Sequence, residues 1–196
     1  MSHFILPHKA NFTEFPLSEE KIPDKWKWVI SSNHTANEIQ TSLKLFYSTI
    51  KNETVKTFAA GLLSIVKVYG FAEACCAIGL VPIISGPTDR FLLLNPPVSL
   101  DASIIDRFVN DSYRSLLLFF AGMTDISSSG DAAFVSYAEK IDVGGVLGFN
   151  LFRLPTGDIL IYVPSTGAVW QQCDQVVSKH SNSLEECLEW YLSTFR

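Results

Sequence analysis

The stretch "VLGFNLFRLPTGDILIYVPSTGAVWQQC", residues 146–173, decides the fold. Three strand-length apolar runs, 146–154, 158–163 and 168–173, are separated by "PTGD" and "PSTG". Proline and glycine punctuate such runs as turns. These joints are far too short for the crossover that a parallel pair requires, so the strands must be antiparallel neighbours. "AAFVSYA" at 132–138 reads as a further strand before them. A helix follows the meander: Leu184, Cys187, Leu188, Tyr191, Leu192 and Phe195 fall on one stripe, and Ser183 with Glu186 gives a capping box. That stripe needs an apolar partner, and the sheet supplies one.

Upstream, two segments carry the 3.6-residue period of a helix. Thr35 and Glu38 form a capping box ahead of Ile39, Leu43, Phe46, Tyr47 and Ile50, and a second helix from about Glu53 aligns Val55, Phe58, Ala59, Leu62, Val66 and Tyr69, with Gly70 as its stop. A third short helix is expected over 71–79, then strand, turn and strand at "VPII" 81–84, "SGPTD" and "RFLLL" 90–94. Asp101 opens a short helix to about Phe108, and the unbroken apolar run "YRSLLLFFAGM", 113–123, reads as a buried strand. Helices, a sheet and a closing helix make an α+β domain with a mostly antiparallel sheet and helices packed on it. Residues 1–34 form an irregular N-terminal arm, with Pro7, Pro16 and Pro23, and residues 35–196 a single domain. In the arm, "KWKW" places Trp26 and Trp28 on one side of an extended segment, as an anchor to the domain or as an exposed partner-binding spot.

Composition narrows the function. With 47% hydrophobic and 18% charged residues the chain is a folded, core-forming one. A formal charge of −5 and scattered basic residues argue against nucleic acid, whose affinity rests on clustered Lys and Arg. No run reaches the roughly 18–20 apolar residues of a membrane span, and Met1–Ala10 lacks a secretory signal's layout. The reading is therefore an intracellular protein with reduced thiols. On that reading the sequons at Asn11, Asn33, Asn52 and Asn110 are helix-capping chemistry or coincidence rather than glycosylation sites.

No catalytic arrangement emerges. The four cysteines contain no C-x-x-C, and His3, His8, His34 and His180 have no metal-ligand spacing, so neither metal nor cofactor is expected. "GGVLGF" at 144–149 enters a strand and has no phosphate-loop lysine, which makes it a bend. Cys173 and Cys187 read as small hydrophobes. Cys75 and Cys76 lie among Ala, Ile and Leu, which raises a thiol's pKa, and so read as buried packing groups.

The segment "EACCAIGLVPIISG", 73–86, is nonetheless the most specific in the chain. Its pattern, Ala74, Cys75, Cys76, Leu80 and Ile83 followed by Gly86, resembles the first signature motif of the betaherpesvirus US-twenty-two family, which is grouped with bacterial immunity proteins in the SUKH superfamily. "GDILIYVPSTGAVWQQ" and the closing "SLEECLEWYLSTF" are similar to that superfamily's hairpin and final helix. The resemblance implies a SUKH-like fold and a non-enzymatic viral protein that binds a host protein to counter antiviral or cell-death responses, in host cytoplasm or nucleus. A bacterial toxin-immunity protein is the neighbouring alternative, and a thiol hydrolase using Cys173 with His180 the enzymatic one. Acidic Asp125, Asp131 and Asp142 are candidates for meeting a basic partner or for an ordinary solvated loop. In the packing reading, the small side chains of Cys75 and Cys76 let a helix approach the sheet closely, Leu80 and Ile83 continue the buried surface, and Gly86 permits the turn back. Cys76→Ser is then expected to lose about 1–3 kcal/mol of unfolding free energy, measurable by chemical denaturation; rapid alkylation of both thiols in the native protein would contradict it.

Overall fold

A computed structural model describes residues 12–18, 21–27, 35–72, 77–83, 90–96, 111–119, 122–127 and 140–195. Cys75, Cys76, Gly86, Trp28, Asp131, the 101–108 helix and the 132–138 strand lie outside the described residues.

Helix α1 (Ala36–Ser48) starts as its sequence dictates. Thr35 Oγ1 accepts from the Glu38 N–H, and the Thr35 N–H donates to the Glu38 carboxylate at 2.8 Å. Helix α2 (Glu53–Ile65) begins at Asn52, whose side chain accepts from the Val55 N–H, so this sequon asparagine is a cap. Ile39, Leu43, Tyr47, Val55, Phe58, Ala59 and Leu62 are buried along the two stripes.

The structure departs from the expected third helix. Strand β2 (Val66–Ala72) starts where α2 ends and returns as β3 (Ala77–Pro82), so Gly70 is a strand residue rather than a helix stop. Val66 falls on the helical stripe with Leu62 and Tyr69 and also on a period of 2 with Val68, and a long-range contact selects the period of 2. The Gln40 amide of α1 donates to the carbonyls of Leu63 and Val66, at 3.1 and 2.7 Å, and accepts from the Val68 N–H. One side chain thus satisfies carbonyls at the helix end and the first inward N–H of the strand.

Strands β3, β4 (Arg90–Leu94) and β5 (Met123–Ser127) continue antiparallel from β2, and β1 (Phe12–Glu14) pairs with the other edge of β2. The arm is therefore partly a sheet strand. Beyond it, Leu17, Ile22 and Trp26, the last in a 3₁₀ turn at Asp24–Trp26 rather than an extended segment, enter the main core. The run 113–123 is not one strand: α3 (Asp111–Phe119) buries Tyr113, Leu116 and Leu117 while exposing Arg114, and β5 follows after Gly122. Among the described side chains of α3, Arg114 is the exposed one, too little contrast to read as a helical period in an apolar run.

The C-terminal half is the expected meander: β7 (Val146–Arg153), β8 (Ile159–Val163) and β9 (Ala168–Cys173) pair in sequence. It is extended at both ends by strands not anticipated. β6 (Lys140–Val143) joins β7 through Gly144 and Gly145, both at positive φ, and β10 (Val176–Ser181) joins β9 through a two-residue turn with Asp174 at φ 52°. The halves meet where β5 pairs parallel to β7, Met123 with Phe152 and Thr124 with Arg153. The result, among the described residues, is a ten-stranded, mostly antiparallel sheet. The four α-helices among the described residues, including α4 (Leu184–Ser193), contribute to one core on one face; smaller apolar clusters, around Leu93 and Ile126 and around Ile161 and Val163, lie on the other. Ser183 caps α4 by accepting from the Glu186 N–H, but the Glu186 carboxylate accepts from Asn182 rather than Ser183, so the reciprocal bond sits one residue early.

Paired glycines make the seat for β1. A Cβ on Gly70 would lie 2.4 Å from the Thr13 carbonyl oxygen, and one on the opposite Gly79 2.7 Å from the Phe12 ring. Gly70→Ala is therefore expected to displace β1 and to cost about 1–3 kcal/mol. Hydrogen exchange should show faster exchange at residues 12–14, with α4 unaffected.

Candidate binding groove

The predicted acidic residue Asp125 is not on the surface. It lies on β5 facing the helices, 2% exposed, where the Arg90 guanidinium grips it in a bidentate pair and the Tyr191 hydroxyl of α4 donates to it at 2.9 Å. Arg90 also donates to the Thr194 carbonyl and lies 4.3 Å from the Phe195 ring centre. Burial pushes the Asp125 carboxyl above its ordinary value, and the three hydrogen bonds it accepts from Arg90 and Tyr191 pull against that shift. A permanently charged guanidinium in this geometry keeps the carboxylate ionised at neutral pH. Asp125 is thus a structural partner of Arg90 and α4, which corrects its assignment to partner binding.

The remaining predicted residues divide clearly. Trp26 is fully buried, so it anchors the arm and offers no exposed contact. Asp142 is exposed, and its carboxylate accepts from the Gly145 N–H at 2.6 Å, which orders the β6–β7 turn. Leu80 is buried as expected, but Ile83 is 60% exposed. It follows the last ladder pair of β3, Pro82 with Val66, where the strand has ended and its N–H donates to the Ile65 carbonyl at 2.9 Å. Cys187 is buried, its thiol pushed up to about 12 by burial, whereas Cys173 is exposed and no hydrophobe. Cys173 faces Val176 at the hairpin end, four residues along β10 from His180, or about 13 Å by strand rise. The Asp158 carboxylate raises the Cys173 thiol above its ordinary value, and the His180 ring packs edge-on against Trp190 at 4.3 Å. Those two side chains do not form a nucleophile–base pair. Among the described residues, no group of three metal-ligating side chains comes together, and no helix is long and apolar enough to cross a membrane.

What the fold assembles instead is a groove between α2 and α4. Both helices start at one end of it, where the Asn52 amide donates to Ser112 of α3 and the Ser112 hydroxyl donates to Glu185 at 2.9 Å. At the other end they nearly touch: a Cβ on Gly61 would lie 2.8 Å from Leu192 Cδ1. Between these pins lies a half-open cavity of about 270 Å³ lined by Glu53, Thr54, Thr57 and Phe58 of α2 and Glu185, Leu188, Glu189 and Leu192 of α4. Glu53 and Glu185 sit in first turns, where the helix dipole favours a carboxylate; Glu189 does not. Lys56 answers Glu53 at 3.2 Å, an exposed and screened contact. The sequence contained the stripes that form the floor, but not which helices would flank each other.

No protein-family model, no curated protein and no solved structure matches this chain.

Arg90→Met is expected to cost about 3–5 kcal/mol, because it strands a buried carboxylate, while Arg90→Met combined with Asp125→Leu should recover much of that loss. Chemical denaturation of both variants measures it; equal losses would mean that the pair's charge is immaterial.

Proposed function

We propose that this chain is a non-enzymatic viral protein that binds a host protein, in the cytoplasm or nucleus, to counter antiviral or cell-death responses. The α2–α4 groove is the observation that supports binding. Its floor is apolar, from Phe58, Leu188 and Leu192, and its rim carries the carboxylates of Glu53, Glu185 and Glu189. At about 270 Å³ it falls just below the roughly 300–1,000 Å³ typical of sites that enclose small molecules. A side chain or two of another protein suits that volume better than a cofactor does. The net charge of −5 favours a basic partner through electrostatic complementarity. The viral and host-directed part of the reading is supported by the resemblance of the Cys75–Cys76 segment to the US-twenty-two family motif.

The test is affinity capture from host lysate with the whole protein and with a Glu53→Lys, Glu189→Lys variant whose melting curve matches. Mass spectrometry should find a host protein that the variant loses by about tenfold, equivalent to about 1.4 kcal/mol. Recovery of nucleic acid alone, of a metabolite alone, or of the same proteins on both baits overturns the reading.

A further inference from the structure

Resting on that reading, the geometry points to a short basic amphipathic helix as the segment that fills the α2–α4 groove. Both walls are helices, whose backbone N–H and C=O groups beyond the first turn are engaged within the helix. An extended peptide laid between them would give up water on its own backbone and find no strand edge to pair with, only the scattered side chains of Thr54, Thr57 and the rim carboxylates, at a cost for each group left unpaired. A helix brings its backbone hydrogen bonds with it and presents only side chains, which is how helix-in-groove recognition works.

Dimensions agree. From Asn52 to Gly61 α2 rises about 13 Å, and from Glu185 to Leu192 α4 rises about 11 Å. That length accommodates roughly two helical turns, so the ligand can seat apolar side chains at i and i+3 or i+4 on Phe58, Leu188 and Leu192. Charge sets the flanks. Glu53 borders the groove from α2, and Glu185 and Glu189 from α4, so carboxylates stand on both sides of the apolar floor. Lysines or arginines on either side of the ligand's apolar stripe would meet them, and acidic residues there would be repelled. The fold offers extended peptides a different place, the outer edge of β10, which ends the strand order with Val176 68% exposed.

A displayed library of random peptides about 16 residues long, twice what the groove spans, selected on the whole protein, tests this. Enriched sequences should carry apolar residues at helical spacing flanked by Lys and Arg. Their binding, followed by fluorescence anisotropy, should weaken about tenfold on Glu53→Lys with Glu189→Lys and should fall with added salt. Proline placed mid-peptide should abolish it. Enrichment of acidic, proline-broken or strand-like sequences, enrichment of none, or winners indifferent to the double variant overturns the helix assignment. If the same variant still loses host-protein capture in that event, the protein-binding reading stands without it; if capture is also unchanged, both fall.

Discussion

The closing helix is held across the seam of the sheet by one side chain, Tyr191. Its hydroxyl donates to Asp125 of β5, in the N-terminal half of the sheet, while its ring packs 5.1 Å from Phe152 of β7, in the C-terminal half, and 6.4 Å from Phe58 of α2. Among the described residues the two halves share two parallel residue pairs at that point. Tyr191 and the Arg90–Asp125 pair beneath it therefore bind together elements that backbone pairing alone joins weakly. A buried ion pair contributes little net stability against an apolar replacement, but it is costly to break, so it tolerates few other arrangements of α4. Phe195 over Arg90 and the Thr194 carbonyl complete the attachment.

That attachment fixes what the surface offers. With its last turn held at the seam and its first turn tied through Glu185, Ser112 and Asn52 to α3 and α2, α4 runs beside α2 and leaves a groove between. The same contacts that stabilise the domain shape the groove. Burial explains why the acids on its rim differ from Asp125: they are at helix starts or on an exposed face, whereas Asp125 sits on an inward strand position opposite Leu92.

Legibility in the sequence followed contrast. The meander, the stripes of α1 and α4 and the Thr35 cap could be read because apolar and polar residues alternate there with a clear period and glycine and proline mark the ends. Where contrast fails, reading failed too. The run 113–123 conceals a helix and a strand, and "VVSKHS" concealed a strand because its turn, Asp174–Gln175, carries no glycine. Asp125 and Trp26 show the same limit for sites: an acid or an indole seen in sequence reads as available, and only its neighbours show it is buried. Ile83 errs the other way, because motif spacing says nothing of where the strand ends, and Ile83 lies one residue past the end of β3.

By itself, the sequence determined the α+β class, the antiparallel C-terminal meander, the capped first helix, the start of the second and the closing helix, because each rests on contacts within about a dozen residues. Tertiary structure decided the end of α2 at Ile65, the parallel seam, the burial of Asp125 and the groove. Each of these depends on groups distant along the chain, such as Gln40 with Val68 and Arg90 with Asp125. Local propensity is silent about such pairings, and where it is ambiguous, as at Val66–Val68, the distant partner chooses.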